Sequence, residues 1–99
     1  MAAGFVGILT VELRFPEAHS LKEKRMFVRS AKQHLQNRVG ASVAEVDHHD
    51  VWQRAVLTVA CVARRASDAE RLLDEAERWL VGQAWELASA ERLLIDPED

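Results

Sequence analysis

The sequence predicts an α+β sandwich of order βαββαβ, with an antiparallel four-stranded sheet and two helices on one face. Two long stretches alternate with period two, at residues 4–15 and 51–63. Two others carry apolar residues at helical spacing, each behind a capping-box tetrapeptide. The 99 residues fit a single domain, 1–99, whose last three residues are expected to fray.

Phe5, Gly7, Leu9, Val11, Leu13 and Phe15 share one parity, and Val6, Ile8, Thr10, Glu12 and Arg14 the other, which reads as a strand. Pro16 ends it, having no N–H for a ladder. Ser20-Leu-Lys-Glu23 is a capping box, and Leu21, Phe27, Val28, Ala31 and Leu35 follow on one side of a helix. That helix is expected over about 21–37, with Gly40 as the stop just beyond it.

Residues 41–47 read as a short strand, and His48, His49 and Asp50 as a tight polar turn. A longer strand, 51–63, completes a hairpin, with Val51, Ala55, Leu57, Val59 and Cys61 on its apolar parity. Ser67-Asp-Ala-Glu70 is the second capping box. Behind it Ala69, Leu72, Leu73, Ala76 and Leu80 predict a helix to about Val81. Residues 85–95 favour helix by propensity. We assign them to a strand, because a fourth strand covers an edge that a three-stranded sheet would expose.

Composition excludes several function classes. Apolar residues make up 48% of the chain, which argues against disorder. One cysteine excludes an internal disulfide framework and a cysteine-rich zinc site. The N-terminal stretch has no basic signal-peptide region, and no run reaches the roughly 20 apolar residues of a membrane helix, so a cytoplasmic location is expected. Cys61 reads as a small buried hydrophobe with no triad partners. The four glycines form no phosphate loop, so neither cofactor nor enzymatic activity is expected.

The net charge of −3 is unevenly divided. Residues 14–38 hold seven basic and two acidic residues, whereas residues 67–99 hold three basic and ten acidic ones. Lys22, Lys24 and Arg25 stand in the first helical turn, where the macrodipole favours acids. Lys22, Arg25, Arg29 and Lys32 step by three or four residues and form one stripe, with His19 and Arg14 just upstream. These seven residues are the candidate phosphate contacts for RNA, set against a plain solvated helix face.

A second candidate is the turn and its adjoining strand: Asp47, His48, Asp50, Trp52 and Arg54. Adjacent side chains rarely converge on one ion, so a polar contact network is expected there in preference to a metal. Trp52 and Arg54 share a parity and read as a base-stacking pair or as an anchor for a protein interface, with the interface preferred. A third candidate is the uncovered sheet face, carrying Val6, Ile8, Val56, Ala60 and Val62, which suits an isologous homodimer. Trp79 and Trp85 are expected to pack at the core edge.

The segments HSLKEKR (19–25) and VAEVD (43–47), followed by His48, Asp50, Trp52, Gln53 and Arg54, resemble the YlxP-like family of small bacterial proteins of unknown function, domain-of-unknown-function family 503. The likeness spans nearly the whole chain and is strongest over 5–63; it departs at His49, where that pattern carries glutamine. It implies a ferredoxin-like α+β sandwich. Genes of such proteins often neighbour those for a translation initiation factor, a transcription elongation factor and ribosome-binding factor A. The resemblance therefore implies RNA or ribosome maturation work, with rRNA or a ribosomal subunit as partner.

Overall fold

The computed structural model describes residues 3–98. Its elements are β1 (Phe5–Arg14), α1 (Leu21–His34), a π-helical turn (Leu35–Val39), β2 (Ser42–Asp47), β3 (Arg54–Ala63), α2 (Ala66–Val81) and β4 (Glu86–Ile95). The strands form one sheet of order β2-β3-β1-β4, and every neighbouring pair is antiparallel. This is the α+β ferredoxin-like arrangement that the alternation and the capping signals predict.

The odd-numbered residues of β1 and β3 face the helices. Leu9, Val11, Leu13, Ala55, Leu57, Val59 and Cys61 are buried with Val28, Ala31 and Leu35 from the first helix and Leu73, Ala76 and Leu80 from the second. Gly7 lets α2 approach β1 closely, since a Cβ there would meet Leu73 Cδ1 at 3.0 Å. Phe15, Phe27, Trp79 and Trp85 close one end as an aromatic cluster, with Phe15 and Phe27 stacked at 5.6 Å. Trp85 donates its indole N–H to the Leu80 carbonyl at 3.0 Å, which satisfies its one polar atom inside the core.

At three places the structure departs from the sequence reading. The first helix runs on through Val39, but its last turn is π-wound; Gly40, left-handed at φ 72°, then caps it, and Ala41 N–H bonds to the Leu35 carbonyl. β3 begins at Arg54 and not at Val51, because residues 48–53 form a loop closed by Val51 N–H to the His48 carbonyl. The second capping box does not form: α2 starts at Ala66, two residues earlier than a Ser67 cap predicts, and Arg65, its N-cap, makes no side-chain cap bond. The main chain supplies the start instead, with Asp68 and Ala69 N–H both bonded to the Arg65 carbonyl.

The assignment of residues 85–95 to a strand holds against their helix propensity. β4 pairs with β1 from Glu86 to Ile95, with an irregularity opposite Glu12 and Leu13. Arg92 ties it to α2, at 2.7 Å from Asp74 and 3.2 Å from Glu77. Pro97 and Glu98 lie in a turn held by Glu98 N–H to Asp96 Oδ1, while Asp99 lies outside the described residues.

Candidate functional site

The site is built from the first turn of α1 and the loop between β2 and β3. Ser20 caps α1 as its sequence predicts, its hydroxyl accepting from Glu23 N–H at 3.1 Å. Glu23 reaches back to His19 N–H at 3.4 Å. This fixes how the following lysines and arginines are distributed around the helix.

Lys24 is the principal correction to the sequence reading. It is fully buried, so it cannot touch a phosphate. Its ammonium meets Glu45 Oε2 at 2.8 Å, the His48 carbonyl at 2.8 Å, the His49 carbonyl at 3.2 Å and the Arg54 carbonyl at 3.4 Å. One carboxylate and three carbonyls take the place of its hydration shell, without which a buried charge would be strongly unfavourable. The signal was present: Leu21, Lys24, Val28, Ala31 and Leu35 follow a 3-4-3-4 spacing, so Lys24 stands on the stripe that faces the core.

The loop that Lys24 gathers in accounts for most of the polar turn. His48 has a left-handed backbone, φ 62°, and Asp47 Oδ1 accepts its N–H at 2.8 Å. His49 Nε2 lies 3.0 Å from the Glu45 carbonyl. Gln53 accepts Phe15 N–H at 2.9 Å through its carbonyl and donates its side-chain amide to the Ala18 carbonyl at 3.4 Å. Asp50 is exposed and, among the described residues, makes no side-chain hydrogen bond. The expected polar network therefore exists, but it is organised by Lys24 and Glu45. Among the described residues no cluster of three or more histidine, cysteine or acidic side chains could hold a metal ion.

Lys22, Arg25, Arg29 and Lys32 lie one position round α1 from the buried stripe. The first three are exposed and Lys32 is half-buried. Among the described residues none of the four makes an ion pair. A shallow trough of about 370 Å³ runs along the last three, lined by Arg25, Val28, Arg29, Lys32, Gln33 and Gln36. His19 is exposed in the loop ahead of the helix. Arg14 does not join this group. It belongs to the parity that faces away from the helices, and its Nε lies 3.4 Å from Glu12.

Glu12 is also 2.7 Å from Arg54, across the register pair Arg14–Arg54. The hydrogen bond from Arg54 holds its carboxyl below the usual range, against the opposing effect of partial desolvation. Arg54 is thus engaged on the open sheet face. Trp52 is not in the strand beside it but in the preceding loop, 48% exposed.

The open face carries the five residues predicted for it. The register sets Val62, Val6 and Ile95 in one row, Ala60, Ile8 and Leu93 in the next, and Val56 beside Glu12 in a third. Leu93 and Ile95 extend the apolar end of the face; the sequence does not mark them, because Leu93-Leu94-Ile95 is apolar throughout and the β4 register shifts opposite Glu12 and Leu13. Thr10 and Thr58 lie hydroxyl to hydroxyl at 3.4 Å where apolar gives way to polar. Cys61 is buried in the opposite layer, and desolvation pushes its thiol pKa up, away from nucleophilic reactivity.

Residues 6–92 match the family described as "Protein of unknown function (DUF503)". Over 68 residues the chain is 31% identical to the "Uncharacterized protein YlxP" of Bacillus subtilis (strain 168), covering 69% of this chain and 74% of that protein. The solved structure of the de novo designed protein Ferredog-Diesel aligns with a TM-score of 0.43 and 11% identity, over 96% of this chain and 88% of that one. Among the described residues no helix is long and apolar enough to cross a membrane.

Proposed function

The chain belongs to the DUF503 family, whose description assigns no activity, and we propose from this protein's own surface that it is an RNA- or ribosome-associated binding module. The observation that carries this reading is the exposed side of α1. Lys22, Arg25, Arg29 and Lys32 have no acidic partner among the described residues, and the last three line a shallow trough. Four cations at helical spacing repel one another by a few tenths of a kcal/mol per pair. A polyanion relieves that repulsion and releases its own counterions on binding. Such contacts position a phosphate backbone without reading its sequence.

The test is binding of rRNA fragments or ribosomal subunits across a salt series, for wild type and for Lys22→Ala/Arg25→Ala/Arg29→Ala. Lys24 is left intact because it is structural. The triple variant is expected to bind more weakly, with the slope of log K against log salt reduced by about 2 in magnitude. Equal slopes for the two proteins, or no binding by either, refute the reading.

A second reading rests on a separate observation. Val62 is 71% and Leu93 57% exposed, beside Val6, Ile8, Ala60 and Ile95 on the face that no helix covers. An apolar patch of that kind suits a second copy of the chain, meeting the first about a two-fold axis.

A further inference from the structure

Trp52 stands in a loop and not in the strand that its sequence parity suggests. Trp79 and Trp85 belong to the aromatic cluster at the core edge, and Trp85 is only 6% exposed. Trp52 instead presents about half its surface to water from a loop. That loop is fastened at several points: His48, His49 and Arg54 carbonyls to the Lys24 ammonium, and the Gln53 carbonyl to Phe15 N–H. Lys24 lies in the first turn of α1 between Lys22 and Arg25, so the same clamp brings the Trp52 loop to the head of the cationic stripe.

With the backbone on either side of it fastened, Trp52 has only its own side-chain rotation left to lose on binding. On a loop tied to the helical turn from which these cations step, none with an acidic partner among the described residues, it offers what a phosphate surface alone lacks, a flat apolar platform for a base. A base inside a duplex is already stacked on its neighbours and cannot use that platform. An unpaired base can. We infer that the ligand of this surface is a single-stranded RNA segment, with Trp52 stacking on an unpaired base while Lys22, Arg25, Arg29 and Lys32 hold the flanking phosphates. This rests on the RNA reading of the α1 stripe and adds the strandedness of the ligand and the residue that senses it.

The experiment compares wild type, Trp52→Ala, Trp52→Phe and the α1 triple variant on a single-stranded oligoribonucleotide and on a duplex of equal length. Trp52→Ala is expected to bind the single strand about tenfold more weakly and the duplex unchanged, with its salt slope unaltered because no charge is lost. Trp52→Phe, which keeps a ring, is expected to retain most of the affinity. The triple variant weakens both ligands. Wild-type affinity of Trp52→Ala for the single strand, or an equal loss on both ligands, overturns the stacking inference and leaves the phosphate reading standing. If wild type binds neither ligand, both readings fall.

Discussion

Lys24 carries two roles that its sequence context makes look contradictory. It is a lysine in a basic run, and it is also a core residue of α1. The heptad-like spacing with Leu21, Val28, Ala31 and Leu35 decides between them, because side chains three and four apart share a face. Its ammonium then substitutes for a second set of backbone partners in a loop that has no ladder. Replacing it by methionine keeps the volume and stem but leaves Glu45 and three carbonyls without their cation. Urea unfolding of Lys24→Met is expected to show a loss of about 3 kcal/mol. Lys24→Arg is expected to be nearly as disruptive, since a planar guanidinium cannot occupy a pocket shaped for a compact ammonium. A wild-type midpoint for Lys24→Met would remove the clamp from this account.

At the scale of elements, the two capping boxes look equivalent on paper and are not equivalent in the fold. Ser20 bonds to Glu23 N–H, whereas Ser67 lies inside the first turn of α2, whose N-cap is Arg65. Ser20→Ala should therefore cost about 1 kcal/mol, while Ser67→Ala should be near neutral. Thermal unfolding of the two variants side by side checks this, and equal losses would contradict it. The physical reason for the difference is that α2 starts where the short connection from β3 delivers the chain. A cap is useful only if the turn begins behind it. β4 is the complementary case. Its residues prefer helix, yet pairing with β1 and the Arg92 bridges to Asp74 and Glu77 outweigh a propensity worth a few tenths of a kcal/mol per residue.

For the whole molecule, the sandwich has one covered and one bare sheet face, and the bare face is itself divided. Its polar end carries Glu12, Arg14 and Arg54, and its apolar end Val6, Val62, Leu93 and Ile95. If two copies meet there, a charge at the apolar end must separate them. Leu93→Arg, at a site 57% exposed, is not expected to disturb the monomer fold. Sedimentation equilibrium at micromolar concentration should show a wild-type dimer and a Leu93→Arg monomer; a wild-type monomer removes the second copy as the occupant. The acidic surplus of residues 67–99 is partly neutralised at home, because Arg71 and Arg92 bridge three of its carboxylates. Among the described residues no such neutralisation occurs along the exposed side of α1, so the division of charge along the chain survives folding where it bears on the candidate site.

Period, caps and turn chemistry determined the element order, the parity of β1 and β3, and therefore which residues occupy the core and which the open face. These are local properties, set by backbone geometry within a few residues. What only the tertiary structure decided depends on partners far apart in sequence. Lys24 became a clamp because Glu45 and the carbonyls of residues 48, 49 and 54 converge on it. The same carbonyls, turned inward, left Trp52 in a loop rather than a strand. Glu12 gained Arg54 as a partner because the register of β1 on β3 brings the two within 2.7 Å. A charged side chain's role depends on which counter-charge it reaches, and that distance does not exist until the chain has folded.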